Sequence, residues 1–108
     1  MTMRNVLPHR RFCETFELRH GGQNTAFTVT VGRYQNGTTG EIFISGAKAG
    51  SEVDGVARDG AVLLSLCLQY GVPLDVIHGA LTKEANGAPS TVIGAVVKKL
   101  IELPPLGR

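Results

Sequence analysis

The stretch from Gly40 to Glu52 (GEIFISGAKAGSE) contains residue types that hold phosphate in many proteins. A glycine-rich loop between a strand and a helix offers backbone N–H groups to an anion, and a lysine adds positive charge. The nucleotide-binding P-loop has the order Gly-x4-Gly-Lys-Ser/Thr. Here Lys48 precedes Gly50, and Ser51 follows Gly50 directly. The stretch therefore departs from the P-loop, and a turn with a helix capped by Ser51 accounts for the same residues.

Two carboxylates, Glu52 and Asp54, follow the serine and fall in the first turn of the helix that it would cap. Negative charge is favourable there because it opposes the positive end of the helix dipole. The same charges repel a phosphate unless Lys48 offsets them. The residues leave two interpretations: a capped turn, or a phosphate site that uses Lys48 and Ser51.

Glu41 is a further candidate because it is a carboxylate within a short predicted strand. On an open face of the sheet it would be solvated, whereas a covered carboxylate needs a cationic partner, for which Arg10 and Arg11 are candidates. The pattern favours a structural ion pair over a catalytic carboxylate. The candidate ligand-binding residues are therefore Arg10, Arg11, Glu41, Lys48 and Ser51.

The sequence contains no pattern typical of catalysis or metal binding. Its histidines are widely spaced: His9, His20 and His78. No two have the spacing of metal ligands, and no cysteine is close enough in sequence to complete a site. Asp59 and Ser65 could belong to a catalytic triad, but no histidine is placed by sequence to act as the base for the serine. We therefore predict no catalytic residue, no metal and no cofactor for this chain.

The composition is that of a small globular protein, since 43% of its 108 residues are hydrophobic. Cys13 and Cys67 form no Cys-x-x-Cys pair and no signal peptide is visible, so we expect reduced thiols and a cytoplasmic location. No apolar run approaches the ~20 residues of a membrane span. The net charge of +2 argues against nucleic acid as a partner.

The hydrophobic pattern predicts three strands followed by three helices. The strands are expected at Glu14–His20, Ala26–Tyr34 and Gly40–Ser45. Asn36-Gly37 predicts a type I′ hairpin turn between the last two strands. The helices are expected at Ser51–Tyr70, Pro73–Leu81 and Ser90–Leu103. Strands segregated from helices indicate an α+β fold, in which a three-stranded antiparallel β-meander has the three helices packed on one face (β-β-β-α-α-α).

The first predicted helix carries two apolar stripes. Residues three and four apart form one of them: Val53, Val56, Gly60, Leu63, Cys67 and Tyr70. The second stripe lies beside it: Ala57, Ala61, Leu64 and Leu68. Because the C-terminal half of this helix is apolar nearly all round, we expect it to form the centre of the core.

We expect three parts along the chain. Residues 1–11 form an irregular basic arm, with Arg4, Arg10 and Arg11 around His9, that is solvated and partly frayed. Residues 12–103 form a single α+β domain, and residues 104–108 form a short tail.

Four segments occur in an order found in a known family: LPHRR (7–11), NGTTGEIFI (36–44), KAGS (48–51) and LLSLCLQYGVPL (63–74). Over about residues 7–103 the chain resembles the TSCPD domain, the C-terminal region of adenosylcobalamin-dependent (class II) ribonucleotide reductases. The Thr-Ser-Cys-Pro-Asp string that names the domain is absent from the sequence. The resemblance implies a small stand-alone protein related to vitamin B12-dependent ribonucleoside-diphosphate reductase.

In that family the adenosylcobalamin site, the radical cysteine and the catalytic glutamate belong to a large α/β barrel, and no position here matches their motifs. The resemblance therefore implies a non-catalytic accessory or protein-interaction module. Its partner would be a ribonucleotide reductase, another protein or a second copy in a homodimer. One alternative is a regulatory module that binds a nucleotide or phosphate ligand through Arg10, Arg11 and Lys48. A second alternative is nucleic-acid binding through the basic arm.

Overall fold

A computed structural model of the chain describes residues 3–103. Its strands are β1 (Phe12–His20), β2 (Thr25–Arg33) and β3 (Thr39–Ser45), and its helices are α1 (Glu52–Gln69), α2 (Leu74–Ala80) and α3 (Val92–Glu102). The strands form one antiparallel sheet in the order β1-β2-β3. The predicted α+β class and element order are confirmed. The predicted tail at 104–108 lies outside the described residues, as do the first two residues of the arm.

One face of the sheet is buried against the helices and the other face is open. Strands β2 and β3 and helices α1 and α3 supply the buried side chains of the core: Phe27, Val29, Val31, Ile42, Ile44, Ala57, Ala61, Leu64, Val92, Val96, Val97 and Leu100. The strand residues in this group alternate in sequence because successive side chains of a strand point to opposite faces. On the open face, Cys13, Gly32 and Glu41 lie in one row across the three strands.

The hairpin between β2 and β3 forms at the predicted Asn-Gly pair, but its turn is not type I′. Gly37 has a φ of +89°, whereas Asn36 is not among the residues of 3–103 with positive φ. The Gly37 N–H donates to Tyr34 O, and the Tyr34 N–H donates to Thr38 O, each at 2.9 Å. The loop therefore has three residues and needs left-handed backbone only at its glycine.

Helix α1 begins where its serine cap predicts. Ser51 Oγ accepts the N–H of Asp54 at 3.2 Å, which pairs one of the N–H groups that a helix start leaves free. At the other end Gly71 adopts a φ of +89°, as expected of a glycine that follows a helix. The predicted Ser51 cap and the predicted helix end at Gly71 are confirmed.

The C-terminal half of α1 is not buried all round, which corrects the prediction that it forms the centre of the core. Leu63 is 64% exposed, Val62 57% and Tyr70 48%. Helix α1 packs chiefly on β3, which is an edge strand. The sheet therefore covers only one side of the helix, and the stripe that contains Ala57, Ala61 and Leu64 occupies that side.

The N-terminal arm is irregular, as predicted, but the expectation that it is frayed is wrong for its residues 4–7. Arg4 Nε donates to Gln69 Oε1 at 2.6 Å, and the Asn5 N–H donates to Gln69 O at 2.8 Å. Tyr34 Oη donates to the carbonyl of Asn5, and Leu7 is buried. These contacts hold the arm against the C-terminal end of α1 because Gln69 offers acceptors on both its side chain and its backbone.

Arg33, at the end of β2, is a charged side chain buried within the described domain, with only 4% exposed. Its Nε donates to Glu14 Oε1 at 3.0 Å, and its Nη1 donates to Gly37 O at 3.0 Å. Nη2 also contacts Glu14. Arg33 therefore ties β1 to the hairpin that follows β2.

Candidate functional site

Glu41 pairs with Arg11 at the edge of the open sheet face. Arg11 Nε donates to Glu41 Oε1 at 2.5 Å and Arg11 Nη2 donates to Oε2 at 3.3 Å, so the carboxylate is held by both of its oxygens. Arg11 Nη1 also donates to the carbonyl of Pro8 at 2.6 Å. The side chains of Arg11 and Glu41 are 28% and 14% exposed. Of the two arginines considered from the sequence, Arg11 is the partner of this covered carboxylate.

Gly32 explains how Glu41 reaches across the sheet. It lies opposite Glu41 on β2. A Cβ atom built on Gly32 would overlap Glu41 Oε1 and lie 3.1 Å from both Cγ and Cδ of Glu41. The carboxylate therefore uses the space that a side chain at this central position would fill, and this brings it to Arg11, which directly precedes β1.

Two side chains at this site, Arg11 and Tyr34, have raised pKa values. The hydrogen bond from Arg11 to Glu41 raises the pKa of the guanidinium above its ordinary value. Burial raises the pKa of the Tyr34 hydroxyl; the Glu41 carboxylate adds to that rise and Arg4 opposes it. Arg11 therefore remains a cation and Tyr34 a neutral donor to the arm near neutral pH.

The five predicted ligand-binding residues fall into two groups. Arg11 and Glu41 form the ion pair, and Arg10 is an exposed neighbour in the arm. Lys48 and Ser51 follow β3 at its opposite end, where Lys48 is exposed and Ser51 Oγ caps α1. One small ligand does not reach both ends of a seven-residue strand. Ligand binding by either group stays a prediction.

A cleft of about 360 Å³ separates the arm from β3 and α1. Its polar lining is mainly basic: Arg4, His9, Arg11, Glu41 and Gln69. The charge of Arg11 is balanced by Glu41, whereas Arg4 bonds a neutral amide through Nε. Sequence reasoning missed Arg4 and Gln69 because only the packed arm brings them to this cleft.

Side chains of α1 also occupy the outer backbone edge of β3. Gln69 Nε2 donates to Gly40 O at 2.9 Å, and Ser65 Oγ accepts the N–H of Ile42 at 2.8 Å. Both side chains thus pair backbone groups that an edge strand leaves free. The signal for them was present in the sequence: they are polar residues four apart, hence on one side of the helix, within the apolar run 61–70.

The side of this half of α1 that points away from the core is apolar and open. Its members are Val62, Leu63, Leu66 and Tyr70, called here the outer face of α1; Leu66 is half-buried and the other three are exposed. Val62 and Leu66 also line a groove of about 410 Å³ between α1 and β3. Apolar side chains grouped on one exposed surface are typical of sites that contact another molecule.

Residues 3–103 contain no group of three or more histidine, cysteine, aspartate or glutamate side chains arranged to hold a metal ion. None of the helices in this range combines the length and the apolar character that crossing a membrane requires.

The chain is similar to segments of much larger enzymes. It is 38% identical over 82 residues, 76% of its length, to a vitamin B12-dependent ribonucleotide reductase of Bradyrhizobium diazoefficiens, and 37% identical over 79 residues, 73% of its length, to that of Agrobacterium fabrum. A third enzyme of this name, from Rhodopirellula baltica, is 49% identical over 49 residues, 45% of the chain. No solved structure gives a significant match.

The matched segments span only 5% of the Rhodopirellula enzyme and 6% of each of the other two. The profile of the TSCPD domain matches residues 1–103, which covers the arm and every strand and helix described above. The chain therefore belongs to the TSCPD domain family.

Proposed function

We propose that the chain is a non-catalytic accessory domain that binds a protein partner through the outer face of α1. The observation that carries this proposal is the exposure of large apolar side chains on one side of a single helix, with Leu63 64% exposed. Such a surface is costly to leave in water, and a partner that covers it gains apolar burial. The Ser65 and Gln69 bonds favour the helix over the β3 edge as the contact surface, because they occupy that edge.

A vitamin B12-dependent ribonucleotide reductase is the first partner to test, because similar segments occur in enzymes of that name. Leu63→Glu is expected to weaken binding to such a reductase at least about tenfold, since it puts a carboxylate into an apolar contact. Titration calorimetry with the purified reductase measures the affinity of each variant.

Val76→Glu is the matched control, because Val76 is 57% exposed but lies on α2. It should bind the reductase as the unmodified chain does, and both variants should melt near the unmodified protein. A chain that fails to bind the reductase, or equal binding by Leu63→Glu and the unmodified chain, would contradict the proposal.

A nucleotide or other phosphorylated ligand is the second candidate, favoured by the basic cleft beside the arm. Within residues 3–103 the Arg4 guanidinium bonds only through Nε, so its two terminal nitrogens are available to an anion. A ligand held there is expected to raise the melting temperature. A thermal-shift screen of nucleotides measures this rise.

Arg4→Ala and Arg11→Ala should each abolish the rise in melting temperature, whereas Lys48→Ala should leave it unchanged because Lys48 follows the other end of β3. A screen without any shift counts against this candidate. Loss of the shift in Lys48→Ala alone would move the site to the loop before α1.

A further inference from the structure

The groove between α1 and β3 is lined by two arginines near its opposite ends. Arg4 lies at the end where it bonds Gln69, and Arg58 precedes Gln69 by eleven residues on α1. A helix rises 1.5 Å per residue, so the two ends are about 16 Å apart. The lining between them includes apolar side chains of both elements, among them Val62 and Phe43, which are exposed. The groove therefore combines an apolar middle with a cation at each end.

Both arginines are held through Nε, which leaves their terminal nitrogens open to a further partner. Arg4 Nε donates to Gln69 Oε1 at 2.6 Å, and Arg58 Nε donates to Asp54 Oδ2 at 3.0 Å. Among residues 3–103 no group accepts a hydrogen bond from the terminal nitrogens of either arginine. A guanidinium fixed in this way can donate to a carboxylate with less loss of side-chain freedom than an unrestrained one.

The carboxylates beside the groove are already paired. Arg11 bonds both oxygens of Glu41, and Arg58 bonds Asp54. With Arg4, the three arginines exceed these two carboxylates by one positive charge. An acidic segment is therefore attracted to this groove and a basic segment is repelled.

We propose that the groove binds an extended acidic segment of the protein partner, in which two carboxylates flank apolar side chains. This rests on the proposed function, since it names the part of the partner that lies beside the outer face of α1. One carboxylate accepts from Arg4 and the other from Arg58, while the apolar side chains between them contact Val62 and Leu66. Charge complementarity thus selects the chemistry of the segment, and the apolar lining contributes burial.

The dimensions of the groove favour an extended chain over a helix. Its volume is about 410 Å³. Spread over the distance between the arginines, this volume gives a channel roughly 5 Å across, narrower than the ~10 Å of a helix with its side chains. An extended chain rises about 3.3 Å per residue, so the two carboxylates are expected about five residues apart.

Selection of peptides on the full chain from a random display library tests the proposal. The selected peptides should carry two aspartates or glutamates about four to six positions apart, with apolar residues between them. Arg4→Gln and Arg58→Gln should each weaken binding of a selected peptide about tenfold, because each removes a hydrogen-bonded ion pair. Fluorescence anisotropy of the labelled peptide measures the affinity, which should also fall as salt is added.

Arg19→Gln is the matched control for Arg58→Gln. The two side chains are 55% and 61% exposed and each pairs with a carboxylate of its own element, but Arg19 lies on β1. Arg19→Gln should bind the selected peptides as the unmodified chain does. A library that yields no binder, selected peptides without the two carboxylates, or equal binding by Arg58→Gln and the unmodified chain would overturn the proposal.

These outcomes are separate from those that test the proposed function. The proposed function fails when Leu63→Glu keeps its affinity for the reductase, a measurement that involves neither arginine nor any peptide. Arg58 also separates this proposal from an anion held in the basic cleft, because Arg58 lines the groove and is not among the residues of that cleft.

Discussion

Replacing Gly46 by alanine is expected to lower the free energy of unfolding by about 3 kcal/mol. Gly46 follows β3 with a φ of +147°. An added Cβ would lie 2.5 Å from the carbonyl oxygen of Ala26 and 2.7 Å from Cα of Phe27. Both are backbone atoms of the central strand, so they cannot move without shifting the sheet. Thermal unfolding followed by circular dichroism should show a fall of about 15 °C.

Gly50 provides the matched control in the same loop. It also has a left-handed backbone, with a φ of +80°, but a Cβ there would have no neighbour within 4 Å. Gly50→Ala should therefore cost only about 1 kcal/mol, from backbone strain alone. If Gly46→Ala and Gly50→Ala lowered the free energy of unfolding equally, the close contact with β2 would not explain why position 46 requires glycine.

The second large effect is expected from Arg33→Ala, which should lower the free energy of unfolding by about 2–3 kcal/mol. The substitution removes the hydrogen bonds to Glu14 and to Gly37 O and leaves a space at a position that is only 4% exposed. The Glu14 side chain is 31% exposed, so water can replace part of the hydrogen bonding that its carboxylate loses. The fall in the free energy of unfolding is therefore smaller than for a fully buried ion pair. Urea unfolding measures the change.

Arg19→Ala is the control for Arg33→Ala. Arg19 pairs with Glu17 on the same strand, and the two side chains are 55% and 58% exposed. Pairs of this kind contribute little because both ions remain hydrated, so the expected change is below about 0.5 kcal/mol. If Arg19→Ala and Arg33→Ala lowered the free energy of unfolding by similar amounts, the burial of Arg33 would not be the reason for its stabilising effect.

The elements could be predicted from the sequence because their signals are local. The alternation of Phe27, Val29 and Val31 with threonines follows from the two-residue period of a strand. Ser51 marks the start of α1 because its hydroxyl bonds an N–H only three residues away. The chain order of three strands and then three helices leaves the strands to pair with one another, and this was enough to predict the α+β meander.

The site could be predicted only in part. The sequence named Arg10 and Arg11 as candidate partners of Glu41, but it could not choose between them. The choice depends on Gly32, which leaves the space through which the carboxylate reaches Arg11. Arg4 and Gln69 were missed because they are 65 positions apart in the chain and meet only where the arm packs on α1.

By itself the sequence determined the strands, the helices, the caps of α1 and the order of the elements, since each depends on neighbours within a few residues. The tertiary structure decided which apolar stripe of α1 is buried. Both stripes have helical spacing, and periodicity cannot tell which one meets the sheet. Because α1 lies on the edge strand β3, Ala57, Ala61 and Leu64 enter the core while Leu63 and Tyr70 face outward. An apolar face that the sequence assigned to the core thus became the surface on which the proposed function rests.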